Sequence, residues 1–256
     1  MSLLTYKWLI AGILVVFTLL TSLISLHFIG RYRQWLQRGD ALADGIFLGV
    51  AAFHLFPNAV SGIARTWPTS TAYVLTLLLV GSGFILLFFL ERWFIIHEEQ
   101  QLSTTTTDAW ILLGVLSIHA FISGATLGIA GSMTGASLLF IAILAHKGFE
   151  SFALAVGLHR RWQRHYPTTL LLTGFAGVTP IGIILASFID HWLQIPTAEW
   201  LSSIFNAFAA GTFLYIGTWH AMHDHFDHAT DANPRYHKWL WTVIGIAVMG
   251  ALAFWQ

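Results

Sequence analysis

Eight stretches of the chain are mostly apolar, at about 8–29, 41–62, 71–96, 109–131, 134–158, 168–191, 199–222 and 237–255. A helix needs roughly 20 such residues to cross the hydrocarbon core of a bilayer. Lipid offers the backbone no hydrogen-bond partner, so each stretch predicts a membrane-crossing helix. The first run is too long for a signal peptide, lacks a small-x-small cleavage site and is followed by arginines, so it is expected to be a true span. Most connections are short. "GSMTG" (131–135) predicts a tight hairpin that makes spans four and five antiparallel neighbours, and only "HEEQQLSTTTTD" (97–108) and "HDHFDHATDANPRYHK" (223–238) are long polar segments. The expectation is an all-α polytopic membrane protein, a single transmembrane domain over 1–256.

Composition agrees: 56% of the 256 residues are hydrophobic, 9% are charged and the mean hydropathy is +0.70, whereas soluble domains carry roughly 25% charge. Twelve basic residues balance twelve acidic ones, which gives no reason to expect nucleic acid as a partner. The absence of cysteine removes disulfides, thiolate metal sites and cysteine nucleophiles. Basic residues also set the expected orientation. Nine of them, among them Arg31, Arg33, Arg38, Arg160, Arg161 and Arg164, fall on one side, against Lys7 and Arg65 on the other. By the positive-inside rule that side is cytoplasmic, and an even number of spans then puts both termini outside.

One internal echo is present. Laying "GIFLGVAAFHLFPN" (45–58) on "GTFLYIGTWHAMHD" (211–224) matches Gly45, Phe47, Leu48 and His54 with Gly211, Phe213, Leu214 and His220, and sets Asn58 against Asp224. Spans two and seven cross in opposite directions, so the echo predicts an inverted repeat around the central hairpin, an architecture of alternating-access transporters.

The chemistry concentrates in that hairpin. His146 and Glu150 are four apart and share one helix face. His119 is similarly central in span four, at the depth that an antiparallel neighbour brings beside them. Thirteen histidines are present, and two imidazoles with a carboxylate suit zinc, iron(II), manganese or cobalt. Ser123, one turn after His119, adds a weak oxygen ligand. Each charged side chain at a helix centre costs roughly 2.5–3.5 kcal/mol to insert, so His119, His146, Lys147 and Glu150 at one depth imply function rather than filling. A protonated amine cannot coordinate. Lys147 is therefore read as a substitute for a second cation, paired with Glu150 at i+3.

At these residues the chain resembles the ZIP family of divalent metal transporters. "HAFISGATLG" (119–128) is similar to the fourth-span pattern and "HKGFESFAL" (146–154) to the fifth. "GVTPIGI" (177–183) resembles the sixth-span element, "AFHLFPNA" (52–59) the second and "NAFAAGTFLYI" (206–216) the seventh. The resemblance implies eight spans with outward termini, metal ligands on spans four and five, a homodimer in many members and, for a bacterial-type member, an inner-membrane location. Two departures bear on the site. Many members carry a carboxylate where Ser123 stands, and hold a second metal through the positions of Ala120 and Lys147, neither of which is a strong ligand here. A single-metal site is expected.

The expected activity is movement of divalent transition metal ions into the cytoplasm, zinc first, with iron, manganese and cadmium as further substrates and no organic cofactor. Imidazole binds metal only when deprotonated, so affinity should fall below about pH 6. His54 and Asn58, toward the outer end of span two, are expected as uptake-side stations, with His220, His223, Asp224 and His225 on the release side. The rival reading is an intramembrane zinc hydrolase with Glu150 as general base, although the chain has no HExxH motif.

Overall fold

In the computed structural model, residues 2–31, 33–97, 104–161, 168–193, 198–220 and 236–253 are described. Among them every expected span is helical and no strand occurs. Span one is Leu3–Arg31, span three Thr69–His97, span four Thr104–Gly128, span five Met133–Arg161, span six Thr168–Leu193 and span eight Tyr236–Ala253. Spans two and seven contain a feature that periodicity did not predict. Arg33–Val50 passes through a π-helical turn at Ala51–Leu55 into Phe56–Ile63, and Ala198–Tyr215 enters a π-helical turn at Ile216–His220. The two π turns fall within one residue of matching places in the sequence echo. Among the described residues seven helices are long and apolar enough to cross a membrane; the eighth, over Lys238–Ala253, is apolar but shorter.

The expected hairpin forms. Span four closes at Gly128, with the amides of Ile129 and Ala130 returning to the carbonyls of Ala125 and Leu127. Ser132 then caps span five, its hydroxyl accepting from the Gly135 amide at 3.0 Å, the usual service of a serine at a helix N-terminus. The buried carbonyl of Gly128 is satisfied from two other spans, by the ammonium of Lys7 and the hydroxyl of Ser187. The C-terminal end of span four is thereby tied to spans one and six.

Helices in a bilayer pack through small residues that let backbones approach, and the glycines follow a paired pattern. In the contact of span two with span eight, a Cβ on Gly45 would overlap the Thr242 carbonyl, and one on Gly245 would crowd the Leu42 carbonyl. In the contact of span seven with span three, a Cβ on Gly211 would overlap the Val80 carbonyl, and one on Gly83 the Phe208 carbonyl. Leu42 stands three residues before Gly45, as Phe208 stands three before Gly211. The larger neighbour relations follow suit: span one packs on five and span six on four, span two on five and span seven on four. Spans four and five lie inside this arrangement, which keeps their facing residues away from lipid.

These close approaches predict that Gly45→Ala and Gly211→Ala each lower stability by about 1–3 kcal/mol through overpacking. Gly12→Ala, where nothing lies within 4 Å of the added methyl, should lower it by nothing. Thermal unfolding of the purified protein in detergent separates the two cases.

Candidate metal centre

Spans four and five bring His119, His146 and Glu150 together. The three residues are deeply buried, none more than 2% exposed, and one ligand atom from each lies within 4.8 Å of the others. His119 Nε2 stands 3.1 Å from Glu150 Oε1, and His146 Nε2 stands 3.4 Å from the same oxygen. Ligands at 2.0–2.2 Å in a tetrahedral shell are separated by roughly 3.4 Å, so both spacings fit a shared cation. Alignment carries the same message. Glu150 Oε1 and both ring nitrogens of His146 are buried yet complete no hydrogen bond among the described residues. Buried polar atoms are rarely left so, and lone pairs that converge on a point between residues are what a cation needs.

The carboxylate divides its two oxygens. Oε1 faces the imidazoles, while Oε2 accepts a hydrogen bond from Lys147 Nζ at 2.9 Å. The ammonium also lies over the ring of Phe175, 4.4 Å from its centroid, a cation–π contact that offsets part of the lost hydration. Lys147 therefore occupies one flank of Glu150 as expected. Its aromatic partner, on span six, carried no signal among twenty phenylalanines.

The remaining candidates are distributed unevenly. Ser123 Oγ lies 3.3 Å from His119 Nε2, beside the nitrogen that faces Glu150, and Phe213 packs on the His119 ring at 5.0 Å between centroids. His54, expected as a station outside the cluster, borders it: its ring lies 4.8 Å from that of His146, and Asn58 Nδ2 lies 3.5 Å from its Nδ1. His220 has only its backbone course described, at the end of the π turn of span seven. His223, Asp224 and His225 lie outside the described residues.

Comparison with known proteins decides the family. The profile described as ZIP zinc transporter matches residues 95–253, which is more than half of the chain and includes both helices of the cluster. The chain belongs to the ZIP family. Zinc transporter 1 of Oryza sativa subsp. japonica is 28% identical over 153 residues, covering 58% of this chain and 44% of that protein. Zinc transporter 3 of Arabidopsis thaliana is 28% identical over 148 residues, 56% of this chain and 43% of that one. Zinc transporter 11 of Arabidopsis thaliana aligns over 279 residues at 25% identity, 96% of this chain and 85% of the relative. The matched stretch is thus less than half the length of the first two relatives. ZIP membership with seven apolar helices makes this a multi-pass membrane protein. The ZIP description is of transporters, and it lends nothing to a hydrolytic reading of the cluster.

The shared carboxylate predicts a specific pattern of stability. Lys147→Met strands Glu150 in the interior and should cost about 3–5 kcal/mol, as removing one partner of a buried pair does. Lys147→Met combined with Glu150→Gln should recover most of that loss. Unfolding curves of the three proteins in detergent, without added metal, give the comparison.

Proposed function

We propose that this ZIP protein carries divalent transition metal ions, zinc foremost, into the cytoplasm. His119, His146 and Glu150 replace the ion's water midway through the membrane. The observation that carries this reading is the convergence of two buried imidazoles and a carboxylate, with the His146 nitrogens and Glu150 Oε1 making no hydrogen bond among the described residues. Iron, manganese and cadmium suit the same donor set, since such sites discriminate by geometry more than by affinity. Ser123 serves the site through His119 rather than as a strong ligand.

Lys147 fills the place of a second cation. Its ammonium supplies a fixed positive charge to Glu150 Oε2, so the site takes one metal.

Transport proceeds by alternating access between two inversely related halves, spans one to three and six to eight, around spans four and five, with both termini outside. Support comes from the sequence echo, the π turns within one residue of matching places in spans two and seven, and the paired glycine contacts of span two with eight and of seven with three. His54 and Asn58 stand on the uptake side, and His220, His223, Asp224 and His225 on the release side. The chain works as a single transmembrane domain, in a bacterial inner membrane.

Reconstituted vesicles test the reading. The wild-type chain should take up zinc along its gradient, with lesser rates for iron, manganese and cadmium, and His146→Ala should fall to the rate of empty vesicles; an undiminished His146→Ala would overturn the proposal. Lys147→Asp should raise the zinc bound at equilibrium from one ion per chain to two. Unchanged stoichiometry would remove the role given to the lysine.

A further inference from the structure

Lys147 and Phe175 are among the largest side chains that the described residues bury completely, each 1% exposed. An ammonium in that setting has three N–H groups to satisfy. One goes to Glu150 Oε2 at 2.9 Å, and the charge is otherwise met by the face of the Phe175 ring, whose centroid lies 4.4 Å from Nζ. A ring face attracts a cation through its quadrupole, yet it has no net charge and no lone pair to give a metal.

The ring is held in place from behind. Phe175 stands one helical turn before Thr179, whose carbonyl a Cβ on Gly124 of span four would overlap; Gly128 and Gly182 make the same kind of approach between spans four and six, to the carbonyls of Ile183 and Phe121. The side chain itself belongs to an apolar cluster with Leu154, Leu158 and Leu172. Span six is thus seated on the helix that carries His119, while its phenylalanine reaches the lysine of the other helix.

This contact bears on the metal because ammonium and cargo draw on one carboxylate. A divalent ion at Oε1 takes up charge that Oε2 offers to Lys147, and it repels the ammonium besides. Whatever holds the ammonium on Glu150 therefore opposes the ion, and by linkage the ion opposes that hold in equal measure. A second carboxylate in the place of the ring would also retain the lysine, but its own charge would draw the metal in. The ring retains the lysine without adding an anion.

We propose that Phe175 is a positioning residue for Lys147: its ring keeps the ammonium on Glu150 against a divalent ion of the zinc type arriving at the other oxygen, and so keeps that ion weakly enough bound to leave. This inference rests on the proposed transport site and on the role given there to Lys147, and it names the side chain that tunes the affinity.

Zinc binding to the full chain in detergent, measured by competition with a fluorescent chelator, tests the proposal when Phe175 is replaced in turn by mono-, di- and trifluorophenylalanine. Fluorine withdraws negative charge from the ring face with little change of shape. The zinc Kd should fall step by step along the series, by about tenfold at the trifluoro ring, and the zinc concentration for half-maximal uptake into vesicles should fall with it. Phe175→Leu should tighten binding at least as far; the fluorinated rings carry the test alone if that variant folds poorly. A packing role would leave Kd unchanged, so a flat series, or one in which fluorine weakens zinc binding, overturns the role of Phe175 while the three-residue site stands. Wild-type protein that binds no zinc, or His146→Ala that binds it as wild type does, would refute the transport site and this inference with it.

Discussion

A carboxylate in the middle of an apolar bundle has to be neutralised where it stands, and the two oxygens of Glu150 have different neighbours. The ammonium of Lys147 holds one, and two imidazoles face the other. Neither charge is tolerable alone at that depth, since each costs several kcal/mol to desolvate. Together they form a neutral pair with one oxygen still aimed inward. A fixed positive charge on one flank and an open donor set on the other is the arrangement on which the proposed single-cation site rests.

The rest of the bundle keeps that arrangement dry without freezing it. Span four meets span six, span two meets span eight and span three meets span seven through glycine-to-carbonyl approaches, contacts that depend on shape rather than on a hydrophobic effect unavailable within lipid. Such interfaces are specific in register, yet they contain few bonds that must break for one body to rock against another. The C-terminal end of span four is the exception: Lys7 and Ser187 both bind the Gly128 carbonyl, which ties the histidine-bearing helix to spans one and six.

Much of this was legible in the amino-acid sequence because two physical lengths are fixed. The bilayer sets how long an apolar run must be, so all eight helices were readable, although the helix of span two begins at Arg33, eight residues before its apolar run. The helical repeat sets which residues share a face, so His146 and Glu150 could be paired, and a five-residue hairpin was enough to bring His119 to them. What escaped reading was whatever depended on local register or on distant partners. The π turn at Ala51–Leu55 changes the phase of span two without altering its hydrophobicity, so His54 read as a peripheral station although it touches His146. Phe175 and Phe213, which pack on Lys147 and His119, look like any other apolar residues in their spans. Pro57 was the available clue, since a proline inside an apolar run announces a backbone that must rearrange.

The most direct measurement is an anomalous difference map at the zinc edge from crystals of the full chain grown with zinc. The strongest peak should lie within about 2.3 Å of His119 Nε2, His146 Nε2 and Glu150 Oε1, with no separate ion beside Lys147. A strongest peak elsewhere, with these three side chains hydrogen-bonded to one another and no density between them, would contradict the account.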